Sequence, residues 1–369
     1  MVREGGLEPP RSYLHKVLSL ARLPFRHSRN RWIKGFNRLR RLIQAALAAR
    51  DDLSAKRVRH TIVRRDARFT NASRRPSRRI ERPVKLSIII ATHARPESLA
   101  RLIASLAPQI RAADHELFIA ENGTPSPTPL DRASVQTDAD IIHLHESRPG
   151  KCRVQNRAIA TARGAIIVCL DDDLAVADGY VVAVEHFFEA HPQFAAMKGR
   201  ILPAEDPIAK AGPMAPYLDL PIADHGDQVI AVRGVLGANM AFRASALRQI
   251  GPFDERLGPG AAGHEEETEI SQRLRRAGLH IGYAPQARVW HEVDPSRANR
   301  DRFLRIARER GYCRMIHEHH SAYEIWTKKI IASLRLTIAR AIGAPIERIA
   351  REERRFAIAR GMHDGLRRS

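Results

Sequence analysis

The chain is poor in cysteine, in aromatic side chains and in long apolar runs. Its 369 residues include three cysteines, Cys152, Cys169 and Cys313. Their spacing suits neither disulfide pairs nor a zinc cluster, and Cys169 lies inside an apolar run that reads as a buried strand. A reducing compartment is the expectation. Aromatics make up 5% of the residues, too few for a platform on which bases stack. No run approaches the roughly 20 apolar residues of a membrane-crossing helix. Met1 to Pro10 contains no apolar signal-peptide core. A cytoplasmic protein is expected, at most peripheral on the inner face of the membrane.

Acidic residues are scarce at the two ends only. The formal net charge is +21. Residues 1–83 carry 23 Lys/Arg against 6 Asp/Glu, and residues 300–369 carry 17 against 8. The stretch between holds 22 against 27 and is slightly acidic. A nucleic-acid-binding domain would concentrate positive charge in its core fold, so no specific nucleic acid is expected. Three regions follow: a basic, partly helical or disordered extension at 1–83, a central α/β domain at 84–299, and a basic amphipathic helical tail at 300–369.

Within the extension, residues 36–50 form a basic amphipathic helix that could lie on an anionic membrane surface or simply be solvated, and a linker follows at 71–83. From Lys85 onward strands and helices alternate. Strands are expected at 86–91, 116–120, 140–145 and 165–170, with helices at 96–106 and 151–163, the second closed by Gly164 as a left-handed cap. Further on come a helix at 179–190, a strand at 196–202, a loop at 203–228, helices at 241–250 and 266–277, and two closing strands at 280–284 and 287–292. Such alternation means a mainly parallel sheet flanked by helices. In the tail, Trp326, Ile330, Ile331, Leu334, Ile338 and Ile342 share one half of a helical wheel, with Lys328, Lys329, Arg335 and Arg340 on the other. That helix could pack on the central domain or lie on lipid, and its large cationic face favours lipid.

Three consecutive acids, Asp171-Asp172-Asp173, end the apolar run 165–170. A buried strand there points three negative groups into one small space at its carboxyl end, where open α/β sheets bind ligands. Like charges so close repel unless a proton or a cation neutralises them. A hard divalent ion whose shell is completed by phosphate oxygens meets that need. A helix cap would need only one such acid.

Six segments in order carry a resemblance: 87–96, 150–156, 170–173, 237–243 with 251–254, 266–269 with Arg273-Leu274, and Val289-Trp290-His291. Together they are similar to the family 2 glycosyltransferases. The resemblance implies a GT-A fold and transfer of a sugar from a nucleotide-diphospho-sugar. It also implies that Asp173, with Asp171, holds Mn2+ or Mg2+, that Asp172 belongs to the donor site, and that His291 completes the metal site. Glu121 would read the nucleobase edge in place of the usual Asp, with Thr92 and Arg95 lining the same pocket. Lys151 and Arg153 would face the diphosphate, because Gln155 stands where the family often has Arg. Glu267, preceded by Glu266, falls at the acid that takes a proton from the acceptor hydroxyl. Asn239 and Gly237 fall in the acceptor-side segment.

The expected activity is therefore an inverting, metal-dependent transfer to a glycan or lipid-linked acceptor in envelope glycan or glycolipid synthesis. A sugar-1-phosphate nucleotidyltransferase would carry a glycine-rich loop after the first strand, and Thr92-His93-Ala94-Arg95-Pro96 has no glycine. A non-catalytic binding protein would not need both acidic sets. The segment 258–263 fits G-x-G-x-x-G but follows no strand, and reads instead as a flexible lid before the acidic helix.

Overall fold

The computed structural model describes residues 85–124 and 141–367. The expectations for residues 1–83 lie outside the described residues. Among the described residues nine strands form one sheet: β1 (Leu86–Thr92), β2 (His115–Asn122), β3 (Ile141–Glu146), β4 (Ile166–Asp171), β5 (Leu174–Val176), β6 (Phe194–Pro203), β7 (Ile230–Val232), β8 (Asn239–Arg243) and β9 (His280–His291). The helices are α1 (Pro96–Leu106), α2 (Lys151–Thr161), α3 (Tyr180–Ala190), α4 (Pro207–Ala211), α5 (Ala244–Ile250), α6 (Glu266–Arg276), α7 (Arg300–His317), α8 (Ala322–Ala341) and α9 (Ile346–Leu366). The strand order is β3-β2-β1-β4-β8-β6-β9-β5, with β7 paired to β9.

Every residue of β1 is buried, because the strand is covered on both faces. Successive side chains alternate across a sheet. Leu86, Ile88 and Ile90 pack with Leu99, Leu102, Ile103 and Leu106 of α1 and with Tyr180 and Val184 of α3. Ile89 packs on the other side with Val154 and Ala158 of α2 and with Ile270 and Leu274 of α6. Each such side chain contributes about 1.5–3 kcal/mol when fully buried. The continuous apolar run is thus the signature of a central strand, as expected.

Four neighbouring strand pairs are parallel and four are antiparallel. The parallel reading holds for β3-β2-β1-β4 and ends at β8, which runs antiparallel between β4 and β6. The expected helix at 241–250 is therefore a strand, β8, followed by a two-turn helix. A short apolar run such as Met240-Ala241-Phe242 does not reveal its period. The expected pair of closing strands is one strand, β9, with its extra residues bulged between Ala284 and Arg288.

Gly164 does not cap α2. The helix stops at Thr161 with Ala162 extended, and Gly164 donates to Ser87 Oγ at 2.8 Å. A Cβ there would meet the backbone of β1, so the glycine permits close approach rather than a left-handed turn. The presumed lid at 258–263 is pinned at several points. Lys151 donates its backbone N–H to Pro259, Cys313 Sγ donates to the Ala262 carbonyl, and Gly260 abuts Gly150 with no room for a Cβ.

Residues 300–366 hold the three helices α7, α8 and α9. Phe303 of α7 and Ala350 of α9 share a small buried cluster with Tyr217 from the long loop. Gly311 of α7 and Gly361 of α9 each stand against the other helix's backbone, so these two helices cross at minimum separation. No helix among the described residues is long and apolar enough to cross a membrane.

Candidate active site

The parallel strands β1, β2 and β4 end together. In register, Thr92 stands beside Glu121 and Ala91 beside Asp171. Their carboxyl ends open into a cleft of about 360 Å³, lined by Thr92, Arg95, Lys151, the three aspartates, Glu266, Glu267 and His291, among others. Nine of the eleven residues singled out from the sequence thus meet in one space.

The three aspartates have distinct partners. Asp171 accepts from the Lys151 ammonium. Asp172 accepts from Thr92 Oγ1 at 2.7 Å and from Arg95 at 3.1 Å. Burial pushes the Asp172 carboxyl up, against the opposing pull of Thr92 and Arg95. Asp173 Oδ2 accepts from Arg95 at 3.1 Å and from Arg297 at 3.3 Å. Burial alone would raise Asp173, yet His291, Arg297 and Arg95 together hold it below its ordinary range.

Asp173 Oδ1 lies 3.3 Å from His291 Nε2. The other ring nitrogen, Nδ1, is 2.9 Å from the Glu292 carbonyl. A carbonyl only accepts, so Nδ1 carries a proton and Nε2 is the nitrogen that faces Asp173. A histidine fixed through one nitrogen so that the other can bind is the usual arrangement around a metal. Among the described residues no three His, Cys, Asp or Glu side chains converge on one metal position. Asp173 and His291 supply two donors, and a magnesium-like ion that bridges phosphates commonly takes only one or two from protein. The donor set therefore fits such an ion.

Across the cleft, α6 begins with Glu266 and Glu267. Lys151 Nζ lies 3.6 Å from Glu266 Oε1, so one ammonium touches both acidic sets. Burial alone would lower the lysine's affinity for its proton, but Asp171, Glu266 and Glu267 reverse this and raise it. Lys151 is a fixed cation. Glu267 lines the cleft and is hydrogen-bonded to Glu266. Burial, then the Glu266 charge and that hydrogen bond, raise its carboxyl well above the usual range. A carboxyl with raised proton affinity at the edge of a cleft suits a general base.

Two non-glycine residues among those described have left-handed backbones, Ala94 at φ 50° and Glu265 at φ 74°. One precedes Arg95 and the other precedes the Glu266-Glu267 pair. Each such conformation costs of order 1–3 kcal/mol and persists where surroundings impose it. Glu265 is buried and paired to Arg314 of α7 at 3.3 Å.

Two predicted residues do not line the cleft. Arg153 is two residues along α2 from Lys151, which turns it away from the same side, and it pairs with Glu255 at 3.1 Å. At the end of β2 the neighbour of Glu121, Asn122, borders the cleft instead. Adjacent strand residues point to opposite faces. Asn122 donates to the Thr92 carbonyl at 3.1 Å and accepts from the Gly150 N–H at 3.2 Å. Gln155 is fully buried and brings no cation. Asn239 is a fully buried tie: it accepts from Tyr180 at 2.8 Å and donates to the carbonyls of Arg200 and Ala287.

Sequence reading missed Arg297, Arg302 and Arg310, which also line the cleft. Arg302, Ile306 and Arg310 recur every four residues on α7. That spacing is visible in the sequence, but the tail reads as a separate region and hides it. Arg310 pairs with Asp219 at 2.9 Å.

Comparison with known proteins agrees with this architecture. The mannosyltransferase PcManGT of Pyrobaculum calidifontis, solved in complex with GDP-Man and Mn2+, superposes with a TM-score of 0.52 at 15% identity, covering 76% of this chain and 87% of that one. At that identity the likeness concerns the fold, which is mixed α/β and GT-A-like. The pre-mycofactocin glycosyltransferase of Mycobacterium tuberculosis is 27% identical over 261 residues, 68% of this chain and 50% of that protein. The O-antigen biosynthesis protein RfbC of Myxococcus xanthus is 24% identical over 228 residues, 58% of this chain and 18% of that protein. The chain thus spans half or less of the length of these relatives. Residues 87–250, somewhat under half of the chain, match the profile of Glycosyl transferase family 2, so this segment carries a domain similar to that family.

Proposed function

We propose that the protein transfers a sugar, with inversion, from a nucleotide-diphospho-sugar to an acceptor hydroxyl. The observation that carries this reading is the single ammonium of Lys151, in contact with Asp171 on one side and Glu266 on the other. It holds a phosphate-side acidic set and a base-side acidic pair within about a sugar ring of each other. In-line attack needs a base on the face opposite the leaving group.

In this reading Thr92 and Asp172 fix the donor end of the cleft. Glu121 and Arg153 keep only peripheral roles toward the base and the phosphates. Asp173 and His291 would hold Mn2+ or Mg2+, whose charge, when bound, stabilises the departing diphosphate. Lys151, Arg95 and Arg297 add fixed positive charge in the same place, preorganised for the charge that develops. Glu267 accepts the proton of the acceptor hydroxyl, and its raised proton affinity makes it a stronger base than an ordinary carboxylate. Arg302 and Arg310, beside the acceptor end, suit an acceptor that carries phosphate, such as a lipid-linked glycan in envelope synthesis.

The test is release of nucleoside diphosphate from a panel of nucleotide-sugars with Mn2+ or Mg2+, with and without glycosyl acceptors. The expectation is turnover of at least one donor that Asp173→Asn and Glu267→Gln both reduce by at least a hundredfold. Pyrophosphate release from a sugar 1-phosphate and a nucleoside triphosphate would overturn the reading in favour of nucleotidyl transfer.

A further inference from the structure

Helix α8 is docked by one stripe and bare on the other. Ile325, Ala332, Leu336 and Ala339 are buried. On the opposite side Trp326 is 57% exposed, Ile330 41%, Leu334 47% and Ile338 46%. Of fourteen exposed large apolar side chains among the described residues, eight fall between Tyr323 and Ile346. Single exposed apolar residues are normal on a protein surface, whereas a concentrated patch marks a binding surface.

Apart from Glu324, which caps the helix and faces His320, the charges along the edges of the patch are positive. At 100° per residue, Lys328 and Arg335 border the bare face on one edge, and Lys329 and Arg340 border it on the other. Arg340 also lines a neighbouring groove between α7, α8 and α9 with Arg300, Arg305, Arg308 and Arg360. Glu353 is the one acid lining that groove, and it is engaged by Arg300 at 2.7 Å and Arg340 at 2.6 Å. Arg360 makes no ion pair among the described residues. Guanidinium groups match phosphate oxygens in geometry as well as in charge.

We infer that the bare face of α8 and the arginine groove beside it form a docking surface for an anionic lipid bilayer. The helix lies in the interface plane. Trp326, Ile330, Leu334 and Ile338 enter the boundary between headgroups and acyl chains, and the flanking Lys and Arg reach the lipid phosphates. A second copy of the chain is the poorer occupant, because pairing this face with itself would oppose rows of like charge. Residues 300–369 as a whole carry 17 Lys/Arg against 8 Asp/Glu, which complements anionic lipid. Docking needs no turnover, so it stands or falls apart from the transfer reaction.

The experiment uses the full chain and vesicles of phosphatidylcholine, alone or with about a third phosphatidylglycerol. Flotation should show at least tenfold tighter binding to the anionic vesicles, weakening with salt, since each basic residue near such a surface contributes about fivefold. Brominated lipid should quench Trp326, and the quenching should be absent in Trp326→Phe. Ile330→Ser with Leu334→Ser and Ile338→Ser should weaken binding at least tenfold with an unchanged melting temperature. Arg305→Glu with Arg360→Glu should weaken binding to the anionic vesicles only. Unchanged binding by the triple variant, or equal quenching of wild type and Trp326→Phe, would overturn the inference and assign any binding to the basic residues 1–83. A concentration-dependent dimer that the triple variant dissolves, without vesicle binding, would overturn it in favour of self-association.

Discussion

The Lys151 ammonium lies 3.6 Å from the Glu266 carboxylate while donating to Asp171. The side chain is about a tenth exposed, so its charge is little screened. Removing one partner of a buried ion pair leaves uncompensated charge, at a cost of about 3–5 kcal/mol. Lys151→Met should therefore lower stability by an amount of that order at neutral pH, measured by urea unfolding. It should also push the Glu267 carboxyl further up, because a nearby positive charge is gone. Lys151→Arg should rescue poorly, since a planar fork does not replace a point charge touching both acids.

Glu267 offers a test in which activity and stability move in opposite directions. Its carboxyl binds a proton more tightly when folded than when unfolded. That preference stabilises the fold below the ordinary carboxylate range, and the benefit is lost as pH rises through the raised value. Glu267→Gln removes the penalty of charging the site, so its melting temperature should exceed that of the wild type at neutral and alkaline pH and converge with it in acid. The same substitution removes the proposed base, and turnover should fall by about 10²–10⁴-fold. In the wild type the acid limb of the pH–rate profile should stand above the pH at which an ordinary glutamate titrates. An acid limb in the ordinary range, with no gain in melting temperature, would sink the assignment of Glu267.

Much of this site was legible because acids at strand ends announce themselves. The Asp171–Asp173 run follows a wholly apolar stretch, and a buried parallel strand was the one element such a stretch could be. The buried face of α1 was read correctly from Leu99, Leu102, Ile103 and Leu106, whose spacing is helical. Strand β8 was not legible, since Asn239–Arg243 is too short to show a period and its antiparallel insertion is decided by β4 and β6. Arg297, Arg302 and Arg310 were not legible either. All lie more than 120 residues from the aspartates; only the packing of α7 brings Arg302 and Arg310 back to the cleft, and Arg297 follows the end of β9 by six residues. Arg153 failed for a local reason: helical geometry allows one of Lys151 and Arg153 to face the cleft, not both.

The pairing of Asp173 with His291 predicts how the protein responds to metal. If the two supply donors to one ion, Mn2+ with a nucleoside diphosphate should raise the melting temperature more than either alone, because each completes the other's site. Asp173→Asn and His291→Ala should each abolish the excess and leave any metal-free nucleotide shift in place. The substitutions should differ in the absence of metal. Asp173→Asn leaves Arg95, Arg297 and His291 without their common carboxylate and should lower the basal melting temperature. His291→Ala removes only one of the three groups around Asp173 and should have the smaller basal effect. A nucleotide shift indifferent to metal in wild type and variants alike would exclude this pair as the ion's ligands.

The glycine contact between α7 and α9 ties stability to the shape of the cleft. A Cβ at Gly361 would meet the Arg308 carbonyl, and one at Gly311 would meet the Ile358 carbonyl. Both obstacles are backbone, which cannot turn aside as a side chain can. Gly361→Ala must therefore separate the helices, and overpacking of this kind costs about 1–3 kcal/mol. In isolation, Gly→Ala in a helix would stabilise by up to about 1 kcal/mol, so a net loss of stability is diagnostic of the close crossing. Because α7 also carries Arg302 and Arg310 into the cleft, the same variant should weaken acceptor binding while leaving the nucleotide-dependent thermal shift near that of the wild type. Calorimetry and acceptor KM measure the two effects separately. A stabilised Gly361→Ala protein with unaltered KM would mean that α7 and α9 are not in backbone contact.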